Sequence, residues 1–82
     1  MIQVFNKAAF THGVTVEDIN CAMSVPLVDI LLESYTNKYL LIGFDVSGNL
    51  LEVIYNLADE DTVNVFHALK CRKEFYKHLP RR

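Results

Sequence analysis

The sequence contains little cysteine and no long hydrophobic stretch. Its two cysteines, Cys21 and Cys71, are too few for a small secreted domain held together by disulfides, and nothing in its first residues resembles a signal peptide. The longest apolar run covers residues 39–44, whereas a membrane-spanning helix needs about 20 residues. We therefore expect a cytoplasmic protein with reduced thiols and no membrane contact.

Motifs for metal or cofactor chemistry are also missing. The two cysteines stand far apart in the chain and the three histidines are scattered, so no spacing fits a zinc site. The sequence has no glycine-rich phosphate loop, no dinucleotide fingerprint and no nucleophile triad. We expect no cofactor and no metal.

Length and composition predict one domain that spans residues 1–82. Half of the residues (51%) are hydrophobic and 22% are charged, which argues against disorder. A chain of 82 residues lies near the small end of what a single hydrophobic core can stabilise. Association with another protein would help to stabilise it, and self-association is left open.

The N-terminal third of the chain reads as helical. Asn6 is a good cap for one or two helical turns. Thr15 opens a second helix, because Asp18 three residues later completes an acidic form of the capping box, and Pro26 ends it. Residues 1–5 form either an edge strand or a lead-in to the first turn.

Four strands are predicted after these helices. The apolar, β-branched segments are separated by short turns, which cannot hold crossover helices, so neighbouring strands should pair antiparallel. We expect an α+β fold with N-terminal helices, a four-stranded antiparallel meander and a short basic C-terminal helix ended by Pro80. The helices should cover one face of the sheet and leave the other free to bind. The predicted strands cover residues 27–33, 38–46, 50–57 and 62–69.

Positive charge is concentrated at the end of the chain. The last 16 residues carry six cations and one acid, a net charge of +5, whereas the first 66 carry two cations and nine acids, or −7. Cations clustered beside aromatic residues are typical of phosphate binding. The alternative is that they favour a helix C-terminus and keep the domain soluble. The six cations are Lys70, Arg72, Lys73, Lys77, Arg81 and Arg82.

His67 is the main candidate for chemistry. It stands at a strand end just before the basic segment, and an imidazole can move protons near neutral pH. Arg72 and Lys70 could bind a phosphate and stabilise charge that develops on it. These are the minimum parts for metal-free RNA cleavage. Strand alternation, however, places His67 on the face of Val63 and Val65, so a hydrogen-bonded core histidine is the alternative.

Three further residues have both a functional and a structural interpretation. His12 could act on substrate or contact the carbonyls at a helix end. Glu52, on the polar face of its strand, could orient a histidine or act as a base, although an exposed strand carboxylate is the commoner case. Tyr76 could stack on a base or cover the sheet.

The order of these motifs resembles the BrnT-type ribonuclease toxins, small bacterial toxins of type II toxin–antitoxin systems. The resemblance extends over residues 10–79. It rests on the His12-Gly13-Val14-Thr15 segment before an acidic helix, Pro26, the Ile42-Gly43 strand, Gly48 followed by Leu50-Leu51-Glu52-Val53, and His67-Ala68-Leu69 followed by Arg72 and Lys73.

The resemblance implies a RelE-like fold, metal-independent cleavage of RNA, and neutralisation by a small DNA-binding antitoxin, often of the ribbon-helix-helix type. It assigns catalytic roles to His67, Arg72, His12 and Glu52. The RNA-binding residues are expected to be Lys70, Lys73, Tyr76 and Lys77.

The chain also departs from this family. Ala8 and Thr11 stand where BrnT-type sequences usually have Asn and Lys, and Leu69 stands where they tend to have Arg. Whether the chain is an enzyme is therefore left open. The alternatives are a non-catalytic interaction module and a nucleic-acid-binding protein of the same fold.

Overall fold

The chain is organised around one five-stranded sheet with helical segments against both faces. The computed structural model describes residues 2–80, so Arg81 and Arg82 of the basic segment lie outside the described residues. The predicted α+β class is confirmed. The strands are β1 (Ile2–Phe5), β2 (Val28–Glu33), β3 (Lys38–Phe44), β4 (Leu50–Leu57) and β5 (Thr62–Lys70).

The sheet is mixed, with the strand order β1-β5-β4-β3-β2. The four strands β2 to β5 pair antiparallel in chain order, as their short connections require. β1 pairs parallel to β5, with Ile2 opposite Thr62. The prediction of a four-stranded, wholly antiparallel sheet is therefore wrong. A five-residue segment has too little pattern to reveal its partner, which only the folded chain supplies.

The helical segments are short, and only one of them is an α-helix. This helix, α1 (Val16–Ser24), begins with the predicted capping box: Thr15 Oγ1 accepts from the backbone N–H of Asp18, and Asp18 Oδ2 accepts from that of Thr15, each at 3.1 Å. The other segments are 3₁₀ helices at Lys7–Phe10, capped by the Asn6 side chain, at Ser34–Thr36 and at Lys73–His78. No helix in the described part of the chain is long and apolar enough to cross a membrane.

Of the helical segments predicted near the N-terminus, only α1 is an α-helix. The segment at Lys7–Phe10 is a single 3₁₀ turn, because Gly13 at φ +79° follows closely and the chain must turn to reach α1. The basic C-terminal helix is present at Lys73–His78, also in 3₁₀ form.

One face of the sheet, here called the helix face, holds the larger part of the core. Ile19 and Ala22 of α1 are completely buried against Leu41, Val53 and Val65. These side chains alternate along their strands, as the sequence pattern predicts.

The opposite face, here called the second face, is partly covered as well. Leu40 and Ile42 are buried there, and Phe75 and Leu79 of the C-terminal segment pack against them. The prediction of a wholly free second face is therefore wrong, because the basic segment is amphipathic and buries its own apolar residues. Only the part of this face beyond the C-terminal 3₁₀ helix is open.

Helix α1 approaches β3 closely at Gly43. A Cβ built at this position would lie 2.9 Å from the Ala22 Cα and closer still to the Ala22 carbonyl oxygen. Both are backbone atoms, so α1 would have to move. Glycine is therefore needed here for the close packing of helix on sheet.

We predict that Gly43→Ala lowers the free energy of unfolding by about 1–3 kcal/mol, because it overpacks this contact. Urea denaturation monitored by circular dichroism measures the change. Ala8→Ser also adds one heavy atom, but at an exposed position, and should change stability by less than about 0.5 kcal/mol. Equal stabilities of the wild type and Gly43→Ala would contradict the predicted overpacking.

Candidate functional site

A bulge in β5 places His67 on the second face. Val65 lies opposite Tyr55 and His67 lies opposite Ile54, so Phe66 is the extra residue between them. Strict alternation predicts that His67 shares the face of the buried valines. That prediction is wrong, because the extra residue shifts the alternation by one position. His67 is thus outside the core, with its side chain 25% exposed.

Glu52 is completely buried near the start of β4, on the second face. Its neighbours in the register are Ile42 of β3 and Leu69 of β5, and the Arg72 side chain binds to its carboxylate. The expectation that a strand carboxylate here would be exposed is wrong, because the chain after β5 folds back over it.

The Glu52 carboxylate joins Arg72 and His67 in one hydrogen-bonded cluster. Oε1 accepts from the backbone N–H of Arg72 at 2.8 Å and from its Nε at 3.1 Å. Oε2 accepts from Arg72 Nη2 at 2.8 Å and lies 2.9 Å from His67 Nε2. Two oxygens thus bind a fork of guanidinium donors, a backbone amide and an imidazole nitrogen. This is the bidentate geometry that gives strong charge-assisted pairs.

The cluster keeps Glu52 ionised. Burial by itself raises the pKa of a carboxyl, but the hydrogen bonds from Arg72 and His67 and the charge of Arg72 outweigh it, so the pKa of Glu52 lies below its ordinary value. The same hydrogen bond raises the pKa of Arg72. An ionised carboxylate only accepts, so His67 Nε2 must carry a proton. This leaves Nδ1 of a neutral His67 as an acceptor.

His12 completes the cluster from the other end of the chain. It follows the first 3₁₀ turn, and its ring meets that of His67 edge to face, with 6.3 Å between the ring centroids. Its side chain is exposed. The four residues assigned catalytic roles from the sequence therefore lie together, although they come from four separate segments.

The outer side of Arg72 faces solvent and has two further neighbours. Nη1 lies 3.5 Å from Glu74 Oε1, and the guanidinium carbon lies 5.1 Å from the centre of the Phe75 ring. The sequence interpretation missed Phe75. Its spacing of three residues from Arg72, in a segment with 3₁₀ geometry, is the signal that could have identified it.

The residues predicted to bind RNA are divided between the two faces. Lys73, Tyr76 and Lys77 are exposed on the C-terminal 3₁₀ helix, which continues directly from Arg72. Lys73 and Tyr76 lie above one another, since a 3₁₀ helix has three residues per turn. Lys70 is exposed but lies opposite Leu51, a core residue of the helix face. The structure therefore separates Lys70 from His67.

A second concave region lies on the helix face, away from this cluster. It is a cavity of about 300 Å³ between α1 and the sheet. The Tyr55 hydroxyl donates to Asp29 Oδ1 there at 2.6 Å. Burial and this hydrogen bond raise the pKa of Tyr55. None of the site residues predicted from the sequence lines this cavity.

Comparisons with known proteins give no independent identification. No protein-family model, no curated protein and no solved structure matches the chain. The resemblance to BrnT-type toxins therefore stays a prediction. Within residues 2–80, no group of three or more His, Cys, Asp or Glu side chains is arranged to hold a metal ion.

We predict that Glu52→Gln destabilises the fold by about 1–3 kcal/mol at neutral pH, because it replaces charge-assisted hydrogen bonds to His67 and to Arg72, which is itself 45% exposed, by weaker ones. The lowered pKa adds a pH dependence. The ionised Glu52 carboxylate contributes fully to stability above the unfolded-state pKa of a glutamate, about 4.3. This contribution is lost as the pH falls through the lower pKa that Glu52 has in the folded protein.

Urea denaturation between about pH 3 and pH 7 tests both effects. The free energy of unfolding of the wild type should fall more steeply on acidification than that of Glu52→Gln. Glu60→Gln, in the exposed turn between β4 and β5, is the matched control and should follow the wild type. Parallel curves for the wild type and Glu52→Gln would show that this carboxylate is not held ionised by its partners.

Proposed function

We propose that this protein is a cytoplasmic ribonuclease toxin of a type II toxin–antitoxin system, with a RelE-like fold and metal-independent cleavage of RNA. One observation carries the proposal. Two imidazoles, a guanidinium and a buried carboxylate from four separate segments lie together at the edge of a basic surface.

His67 is the principal acid/base of this mechanism. The Glu52 carboxylate accepts a hydrogen bond from His67 Nε2, which fixes the tautomer of the imidazole. Nδ1 of His67 is then free to take the proton of a ribose 2′-hydroxyl. The 2′-oxygen then attacks the adjacent phosphorus, and the bond from phosphorus to the 5′-oxygen breaks. His12, on the neighbouring ring, donates a proton to that leaving oxygen. The products are a 2′,3′-cyclic phosphate and a 5′-hydroxyl.

Arg72 stabilises the negative charge that builds up on the phosphorane oxygens. Two of its side-chain nitrogens are bound to Glu52, and the third, Nη1, lies 3.5 Å from the exposed Glu74 carboxylate, so phosphate competes with Glu74 for Nη1. Glu52 acts as a positioning residue, since it is completely buried and reaches the substrate only through His67 and Arg72.

The exposed face of the C-terminal 3₁₀ helix extends the phosphate-binding surface. Lys73 and Lys77 offer charge to the RNA backbone, and Tyr76, 44% exposed, offers a ring for stacking. The proposed protein partner is a small antitoxin of the ribbon-helix-helix type. This partner follows from the resemblance to BrnT-type toxins, and covering the basic surface would explain how it inhibits the toxin.

A nucleic-acid-binding protein without catalysis is the second candidate. The observation in its favour is that Arg72 and His67 together occupy both oxygens of the Glu52 carboxylate. Such a cluster could serve only to fasten the C-terminal segment to the sheet. Cleavage distinguishes the two functions, because binding alone leaves RNA intact.

We expect that production of the protein alone in a bacterium arrests growth and degrades RNA. His67→Ala should relieve the arrest, and its cleavage rate with purified RNA in the presence of a chelator should fall about 10²- to 10⁴-fold, the usual contribution of a general acid or base. Arg72→Ala should relieve it as well. His78→Ala, which removes an imidazole outside the cluster, is the control and should remain toxic.

Growth rate and RNA integrity on gels measure these effects. Circular dichroism distinguishes loss of activity from loss of fold, above all in Arg72→Ala, which leaves the buried Glu52 without its main partner. A wild-type protein that leaves growth and RNA unaffected would contradict the ribonuclease function. RNA binding without cleavage would favour the second candidate.

Binding to single-stranded RNA should weaken with salt. Each phosphate neutralised contributes a slope of about −0.7 to log K against log salt concentration. We predict that the double variant Lys73→Ala, Lys77→Ala loses about 1.4 of this slope, measured by fluorescence anisotropy. Lys70→Ala, on the helix face, should change the slope less, and an equal loss per lysine would show that the C-terminal 3₁₀ helix is not the contact surface.

A further inference from the structure

The cavity between α1 and the sheet offers hydrogen-bond acceptors and few free donors. The Tyr55 hydroxyl gives its proton to Asp29 Oδ1 at 2.6 Å, and the Ser24 hydroxyl gives its proton to a backbone carbonyl of its own helix at 2.8 Å. The Gln3 amide donates to Met23 Sδ at 3.7 Å. All of these side chains line the cavity. Their oxygen atoms therefore remain as acceptors for a ligand.

Asp29 adds a negative charge that no cation of the described chain balances. Its Oδ1 accepts from Tyr55, which is 7% exposed and stacks on Tyr39 with 5.2 Å between the ring centroids, so the carboxylate is held in place. Within residues 2–80, Oδ2 has no hydrogen-bond partner and no basic side chain forms an ion pair with Asp29. A carboxylate fixed in this way favours a positively charged donor.

The remaining wall of the cavity is apolar. It includes Leu41 and Val63, both 2% exposed, and Leu57. Leu57 and Val63 also flank the turn between β4 and β5, whose three acids at 59–61 are exposed. Negative charge near a cleft raises the local concentration of cations. The volume of about 300 Å³ suits a small group rather than a large cofactor.

We propose that this cavity binds an organic cation with a short apolar stem, an alkylguanidinium or an alkylammonium group. The charged end donates to Asp29 Oδ2 and to the free oxygens of Gln3 and Tyr55, and the stem packs on Leu41 and Val63. Two sources supply this chemistry: a free small amine, and the arginine or lysine side chain of a protein partner. The inference is independent of the proposed function, which uses the opposite face of the sheet.

Titration of the whole ¹⁵N-labelled chain, followed by ¹H–¹⁵N NMR, tests the site. The probes are n-butylguanidinium, n-butylammonium and n-butylurea, which has the shape of the first but no charge. Both cations should bind with a Kd of about 1–20 mM, the range for ligands of this size. They should shift the backbone amides of cavity residues such as Gln3, Asn20 and Leu41. Butylurea should bind at least about 10-fold more weakly, because its hydrogen bonds to the carboxylate lack the charge.

Asp29→Asn keeps the size of the side chain but removes its charge, and should weaken the binding of butylguanidinium by about 10-fold or more. Tyr55→Phe removes the hydroxyl that positions the carboxylate, and should weaken it by about 2- to 10-fold. Glu17→Gln, which removes one charge from the exposed first turn of α1, is the matched control and should bind like the wild type. Thermal unfolding shows that each variant is folded.

A peptide probe distinguishes the two sources. N-acetyl-arginine-N-methylamide presents the same guanidinium on a peptide backbone. Binding at least as tight as that of butylguanidinium indicates the side chain of a protein partner, and weaker binding indicates a free amine.

Three results would each overturn the site: equal affinity for butylurea and butylguanidinium, unchanged affinity in Asp29→Asn, or no shift of the cavity amides at about 100 mM butylguanidinium, well above the expected Kd. None of them would affect the ribonuclease function, since His67 lies on the second face.

Discussion

The buried Glu52 carboxylate is the interaction on which the rest of the structure depends. A charge removed from water is costly unless it is paired and hydrogen-bonded. Here the pairing comes from the backbone and side chain of Arg72 and from His67. The carboxylate thus fixes where the chain goes after β5, and the apolar side of the C-terminal 3₁₀ helix then packs on the second face. The hydrogen bonds that attach the C-terminal segment to the sheet also bring the Arg72 guanidinium and the His67 imidazole to the same carboxylate.

Strand β5 separates the acidic and the basic segments of the chain in space. The acidic turn, with Asp59, Glu60 and Asp61, precedes the strand, and the basic segment follows it. Nine extended residues separate the two by about 30 Å. Phosphate is therefore repelled from one end of the sheet and attracted to the end that carries Arg72. Under either of the two proposed nucleic-acid functions, this arrangement would favour the approach of RNA to His67.

One extra residue in β5, Phe66, decides which side chains the strand presents on the second face. Without the bulge at Phe66, His67 would point into the core of the helix face, where it could not meet Glu52. With it, the imidazole and an aromatic ring stand side by side on the partly open face. Of the departures from the BrnT-type pattern, Ala8 and Thr11 take no part in the bonds of the Glu52 cluster. Leu69 lies opposite Glu52 in the register, so an apolar side chain stands beside the cluster where the family tends to have Arg.

The sequence by itself determined the local features of this protein. The capping box at Thr15, the cap at Asn6 and the strands β2 to β5 follow from signals within a few residues of one another. It also suggested the four polar residues that the structure brings together. Only the tertiary structure decided that β1 joins the sheet parallel to β5, that Glu52 is buried and that His67 and Arg72 share its carboxylate. Each of these depends on residues distant in the chain or on a bulge, and neither leaves a periodic signal in the sequence.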